Sequence, residues 1–262
     1  MTSSRATATY LYCLVRSDRR PSPSGAPRGL PGLGPLRVVP AAADLWLIAA
    51  DAPLARYGSA PIERHLRNLP WVALRGAAHA RVVEHFARRL TTLPMKLFTL
   101  FAGEARAVAH VQRAEAGVRR VLARVEGCRE WGIRVRRDPA LARRRPRGRP
   151  SSAAPARRSG TGFLLARKQE LDLARDALRE GRAAVERAFD EMASLGEASR
   201  RRPAAELDGS PVVLDAALLV PARQLGAFKG VVRRSASDLA ARGYRLTLSG
   251  PWPPYNFVGD GR

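Results

Sequence analysis

From Gly127 onward the sequence switches between two hydrophobic periods in an order that leaves few folds open. Residues 130–135 alternate, with Trp131, Ile133 and Val135 on one side and Glu130, Gly132 and Arg134 on the other, the two-residue repeat of a half-exposed strand. A long run of three-and-four spacing follows over residues 163–195. Next come a weak strand at 202–207, turn chemistry in Asp208-Gly209-Ser210-Pro211, and an apolar run at 212–220 broken only by Asp215. Pro221 opens another helical stretch, with Leu225, Phe228, Val232, Ala236 and Leu239 on one face. Gly243 stands where a helix-ending glycine belongs, and residues 244–249 alternate again. The order β-α-β-β-α-β predicts the ferredoxin-like split βαβ arrangement, with its helices on one face of an antiparallel sheet. Residues 212–220 read as a central strand whose second face needs a cover, from the first part of the chain or from the C-terminal segment.

The first half is also mixed. Residues 7–15 are β-branched and aromatic and read as a strand; residues 21–35 carry Pro or Gly at nine positions and can only be loop. Strands are expected at 36–39 and 44–50. Helical spacing follows in Ile62, Leu66 and Leu69 up to Pro70, and again over 72–89 with Leu74, Val82, Phe86 and Leu90 on roughly one face. Residues 91–101 read as an edge or bulged strand because of Pro94, and 102–125 as one helix carrying Val108, Val111, Val118, Leu122 and Val125. The fold class is therefore α+β in two domains: an N-terminal α+β domain over 1–126 and a C-terminal, modified ferredoxin-like domain with a long helix over 127–262. At 262 residues the chain has room for both cores. Within the second domain, residues 139–160 hold seven arginines among Pro, Ser, Gly and Ala with no acid after Asp138, the composition of a disordered basic insertion.

The long helix carries Leu171, Ala174, Leu178, Gly181, Val185, Ala188, Met192 and Leu195, a heptad stripe in which small residues alternate with large ones. Packing on a sheet of the same protein explains it better than an intermolecular coiled coil, since the stripe only reaches the lower bound of about three to four heptads. Its larger members Leu171, Leu178 and Val185 are nonetheless candidate partner contacts.

A net charge of +23, carried by 46 Lys and Arg against 23 Asp and Glu, favours non-specific association with polyanions at low salt. Only three of the cations are lysines, which fits a coding bias toward Arg, Ala, Gly and Pro as well as it fits recognition. No RNA- or DNA-binding motif accompanies the basic tract, and aromatics are not interleaved with it. Catalysis is not advertised either. The four histidines, His65, His79, His85 and His110, have no metal-ligand spacing, and Gly29-Leu30-Pro31-Gly32-Leu33-Gly34 lacks the Gly-Lys-Ser/Thr of a phosphate loop. Cys13 lies in an apolar strand where a buried, inert thiol is expected, and Cys128 has no partner histidine nearby in sequence. No apolar run approaches the roughly 18 residues of a membrane span, and two cysteines give no disulfide framework, so a reducing cytoplasm is expected.

Four stretches point in one direction: Tyr10-Leu11-Tyr12-Cys13-Leu14-Val15, Leu93-Pro94-Met95-Lys96-Leu97-Phe98-Thr99-Leu100-Phe101, Gly127-Cys128-Arg129-Glu130-Trp131-Gly132-Ile133-Arg134-Val135, and the terminal Gly250-Pro251-Trp252-Pro253-Pro254-Tyr255-Asn256-Phe257-Val258. In order and spacing they resemble the gas vesicle protein GvpL/GvpF family, with the terminal stretch the most specific. The middle stretch departs from the family's pattern, which is closer to Pro-x-Arg-Phe-Gly-Thr; here Lys96-Leu97-Phe98-Thr99 carries no glycine. The resemblance implies a cytoplasmic, gas-vesicle-associated accessory protein of gas vesicle assembly, not an enzyme, without cofactor or metal. It implies contact with the small hydrophobic shell protein and with other accessory proteins, and none with a membrane. The competing class is a basic polyanion-binding protein, with nucleic acid bound only non-specifically. In the tail, Trp252, Tyr255 and Phe257 are candidate partner contacts, although a role in capping the protein's own core explains them first.

Overall fold

Strand β1 (Thr7–Arg16) organises the first half of the chain: eight consecutive residues of it, Ala8 to Val15, are buried. The computed structural model describes residues 6–143, 160–203 and 211–259. β1 pairs antiparallel with β3 (Leu45–Pro53), which pairs in turn with β2 (Arg37–Ala42); on its other edge β1 pairs with β4 (Thr91–Pro94) and β5 (Leu100–Phe101). The sheet order is β2-β3-β1-β4. A bulge between Leu11 and Cys13 breaks strict alternation, so that Tyr10, Tyr12, Cys13 and Val15 all face one way. After the short helices α1 (Leu54–Tyr57) and α2 (Ser59–His65), helix α3 (Leu69–Ala87) covers that side with Ala78, Val82, Val83 and Phe86. Leu11 and Leu14 face the opposite way, onto Ala107, Val111 and Leu122 of α4 (Glu104–Arg113) and α5 (Glu115–Val125).

Two expectations for this half are corrected. Residues 102–125 form two helices rather than one, because the chain turns at Ala114 (φ −98°, ψ 8°). The break falls in the seven-residue gap between Val111 and Val118, where one straight helix would carry its apolar face off the twisted sheet. Residues 91–101 form two short strands separated by a turn, closed by Thr99 N–H and Thr99 Oγ1–H, both donated to the Lys96 carbonyl at 3.2 and 2.8 Å. In that turn Phe98 has φ 67°, the left-handed region, at the position where the family's pattern carries its glycine.

The chain divides into two compact units, Met1–Glu130 with Pro251–Arg262, and Trp131–Gly250. The last residues thus belong with the first unit, not with the domain that the sequence boundary of 127–262 assigns them to. The reason is packing: Tyr255 lies against the Tyr10–Tyr12–Val82 core.

The second half runs β6 (Cys128–Arg137), α6 (Pro139–Arg143), α7 (Gly160–Ala193), β7 (Ala198–Arg201), β8 (Val212–Pro221), α8 (Leu225–Ala241) and β9 (Tyr244–Trp252), with sheet order β7-β8-β6-β9. One side of the sheet, through Trp131, Ile133, Val135, Leu214, Ala216, Leu218 and Tyr244, packs on Val185, Phe189 and Met192 of α7 and Phe228, Val232 and Leu239 of α8. The weak strand lies earlier than 202–207: β7 pairs with β8 from Ala198↔Leu219 to Arg201↔Ala216, and Pro203, with no N–H to give, ends the ladder. The predicted basic insertion begins as structure: Asp138 Oδ1 accepts from Ala140 N and Leu141 N at 2.9 and 3.3 Å and starts the short helix α6. Residues 144–159 and 204–210 lie outside the described residues.

Candidate partner-binding surfaces

The tail residues are largely consumed by their own unit. Glu130 accepts from the backbone N–H of Asn256 at 2.8 Å and from its side-chain amide at 2.5 Å, while Arg124 donates to the Phe257 carbonyl. Phe257 is 4 % exposed, and Tyr255 is buried enough that desolvation raises its hydroxyl pKa. That hydroxyl has no hydrogen-bond partner among the described residues. Of the three aromatic candidates only Trp252, at 43 % exposure, presents a surface. Two consecutive prolines, Pro253 and Pro254, both buried, set the turn that separates it from the anchored pair.

Helix α7 divides in the same way. From Gly181 on, its stripe packs on its own sheet, and Val185, offered by the sequence as a partner contact, is fully buried there. Gly181 is small for a local reason: a Cβ at that position would stand 2.5 Å from the Tyr244 ring. Between residues 163 and 180, by contrast, no residue is buried. Leu178 is half-buried, while Leu171 (46 %), Leu173 (69 %), Phe163 (61 %), Leu164 (67 %) and Leu165 (58 %) are exposed. This stretch holds its helical shape with side-chain pairs three apart, Arg167–Glu170, Arg175–Asp172 and Arg179–Asp176, each contributing only a few tenths of a kcal/mol, roughly. The heptad reading finds Leu171 and Leu178; it misses Phe163, Leu164, Leu165 and Leu173, whose signal is large apolar residues off the stripe.

A second surface went undetected in the sequence. Leu66, Leu69 and Leu74, which the helical spacing assigns inward, are 49, 75 and 55 % exposed. Leu74 lies eight residues from Val82, about 80° around the helix from its face, which is why the pattern misplaces it. Beside these leucines the rings of His65, Trp71, Phe98 and Tyr57 form a chain of contacts 4.9 to 6.5 Å apart, with the Arg75 guanidinium 3.8 Å from the Trp71 ring centroid.

Both loops of this unit are pinned from within. The Met95 carbonyl can only accept, so His79 Nε2 carries the proton it donates there (3.0 Å), and Nδ1 accepts from Tyr10 Oη at 2.7 Å. Burial pushes the His79 pKa down to about 4, so the ring is neutral near pH 7. Tyr12 Oη accepts from Leu30 N at 2.9 Å and Tyr57 Oη donates to the Pro31 carbonyl at 2.8 Å, which ties the proline- and glycine-rich loop to the core. The Cys13 thiol, buried in the same core, has its pKa raised by desolvation and is inert at neutral pH. His79 and its tyrosine neighbours hold structure together. Among the described residues no three His, Cys, Asp or Glu side chains converge as a metal site, and no helix is long and apolar enough to cross a membrane.

The architecture, a mixed α and β chain, is shared with solved structures. The crystal structure of the gas vesicle protein GvpF from Anabaena sp. PCC7120 superposes with a TM-score of 0.65 at 16% identity, covering 96% of each chain. That of GvpF from Microcystis aeruginosa gives 0.63 at 15%, covering 96% of this chain and 98% of the other. In sequence, the gas vesicle protein L of Streptomyces sp. (strain CB03234) is 28% identical over 257 residues, which is 95% of this chain and 92% of that protein. The model of the family described as gas vesicle synthesis protein GvpL/GvpF matches residues 8–259, and the chain belongs to that family. Membership carries a role in gas vesicle formation and association with gas vesicles, in a family of accessory proteins not known as enzymes.

Proposed function

We propose that the protein serves gas vesicle assembly by holding the apolar surface of the small hydrophobic shell protein, and of other accessory proteins, on the uncovered half of α7. The carrying observation is that five of the ten large exposed hydrophobic side chains among the described residues, Phe163, Leu164, Leu165, Leu171 and Leu173, lie within the first turns of this one helix. Clustered exposure of this kind marks interaction surfaces, and an apolar helix face is a common docking element. Trp252 is a further contact in this reading. The work is done by binding, without a catalytic residue or cofactor, and in the cytoplasm. The second unit, Trp131–Gly250, is read as a ferredoxin-like domain, which the β-α-β-β-α-β element order and the sheet order β7-β8-β6-β9 support.

Co-expression with the shell protein and co-purification at low and high salt tests this. Apolar contact predicts association that persists at high salt. If the basic charge were the binding agent, association would be lost with added salt and displaced by nucleic acid, and the polyanion-binding reading would replace this one.

A further inference from the structure

Arg75 of α3 is a buried cation without an acid. The residue is only 9 % exposed, and the contacts that hold it are with neutral groups. Nη1 donates to the Trp71 carbonyl at 3.2 Å, and the guanidinium carbon lies 3.8 Å from the Trp71 ring centroid and 5.8 Å from that of Tyr57. The Tyr57 hydroxyl, beside it, donates to the Pro31 carbonyl. Nε is buried with no hydrogen-bond partner among the described residues. A guanidinium does not shed its proton, so burying it without a counter-ion leaves a desolvation cost that ring faces only partly offset. Strained backbone stands at the same spot: Phe98, the one non-glycine residue with positive φ among the described residues, has its ring 5.5 Å from that of Trp71.

The surface around this cation is apolar and short of acids. Leu74, three residues from Trp71 and so on the same side of α3, is 55 % exposed; Leu66, next to the His65 ring that stacks on Trp71, is 49 % exposed. Residues 54–76 carry four arginines against the single acid Glu63, and among the described residues none of Arg56, Arg64, Arg67 and Arg75 forms an ion pair. We propose that this is a second docking site, which takes an amphipathic helix of a protein partner: its apolar side chains cover Leu66 and Leu74, and an Asp or Glu set among them pairs with the Nε–Nη2 edge of Arg75. Nε is covered, so the carboxylate meets Nη2 first and gains Nε as the half-buried Trp71 ring turns. A planar carboxylate on a single side chain reaches this sunken edge, whereas phosphates held in a headgroup plane or along a nucleic acid do not. Trp71, already stacked with His65 and the guanidinium, is not free to stack on a base. The site lies in the first unit and is independent of the apolar surface of α7.

The test selects a displayed library of helical peptides, randomised on one face, on the full-length protein after depletion on its Leu74→Glu variant. The enriched peptides are expected to carry Asp or Glu among apolar residues of that face. With the leading peptide labelled and read by anisotropy, changing its acid to the amide and Arg75→Met in the protein should each weaken binding by about tenfold, and together by no more than either alone, since both remove one pair. A merely structural Arg75 would leave the acid and amide peptides as far apart in Arg75→Met as in the parent protein. Leu66→Ser, at an exposed position, should weaken binding by about fivefold and, with the amide peptide, decides the matter if Arg75→Met unfolds. Arg233→Ser removes the same charge from the second unit and is expected to change affinity by less than about twofold. No enrichment after depletion, leading peptides without an acid, additive losses in the cycle, binding indifferent to Leu66→Ser, an equal loss in Arg233→Ser, or displacement by oligothymidylate or phosphatidylglycerol vesicles more efficiently than by unlabelled peptide would each overturn the assignment.

Discussion

Replacing Gly181 by Ala separates packing within the protein from a helix face kept small for a partner. In an ordinary helix interior this change stabilises by about 0.8–1 kcal/mol, because Ala has the higher helix propensity. Here the added Cβ would stand 2.5 Å from Cε2 of Tyr244, a ring only 3 % exposed. Restoring van der Waals distance requires the ring to move by roughly 1 Å into a filled core, and such overpacking costs about 1–3 kcal/mol. The net expectation is destabilisation of about 1 kcal/mol. Gly230 in α8 provides the control in the same unit, since its added Cβ meets only the tip of Arg234 at 3.6 Å. Gly230→Ala should therefore stabilise by close to the full propensity difference, about 0.5–1 kcal/mol. Urea unfolding, with amide exchange of β6 and β8 reporting on the unit that holds both glycines, should place the two variants about 2 kcal/mol apart. If Gly181→Ala stabilises as much as Gly230→Ala, α7 does not rest on Tyr244 and the stripe exists for another purpose.

Other predictions follow from the first unit and from the free helix. Phe98→Gly should be more stable than Phe98→Ala by about 1 kcal/mol in thermal or chemical denaturation. Both lose the ring contacts to Tyr57 and Trp71, but only glycine is at ease at φ 67°; Ala equal to or better than Gly would contradict the turn. The His79 pKa is lowered from 6.5 to about 4, so the unfolded chain takes up a proton that the fold refuses. The associated stability is complete above about pH 6.5 and is lost as pH falls toward 4, by about 3 kcal/mol in all. His85, also lowered, adds in the same direction; Asp44 and Glu186, held below the usual carboxylate range by Arg119 and Arg201, contribute only at lower pH. His79→Gln should flatten the stability profile between pH 6.5 and about 4.5, and an unchanged slope would remove His79 as its origin. Leu164→Glu with Leu171→Glu should alter the melting temperature by no more than a degree or two while abolishing salt-resistant association with the shell protein; large destabilisation would show these residues to be core.

Period and punctuation made much of the fold legible. The alternation at Trp131-Gly132-Ile133-Arg134-Val135 and the apolar run around Leu218 survive as the middle strands of the second sheet, because a core on one face enforces their register. What escaped depended on tertiary geometry. A helix reads the same from spacing whether or not it breaks at Ala114, and the turn at Phe98 is set by packing against Tyr57 and Trp71 in defiance of local preference. The candidate surfaces show the same division. Val185 and Leu171 occupy equivalent positions of one stripe, yet one is fully buried and the other 46 % exposed, since a repeat does not state where its partner surface ends. Asp215 stood out in the sequence as a charge in a central strand, but the arginines that meet it come from β6 and from the residue after β7, 81 and 13 positions away.

The central claim is that the part of α7 before Gly181 is where the shell protein is held. Amide hydrogen exchange of residues 162–180, measured at high salt in the free protein and in its complex with the shell protein, tests it most directly. The account predicts slow exchange of this segment only in the complex, because side-chain pairs alone hold it helical in the free state. Exchange that is unchanged there, with protection arising elsewhere or not at all, would contradict the account.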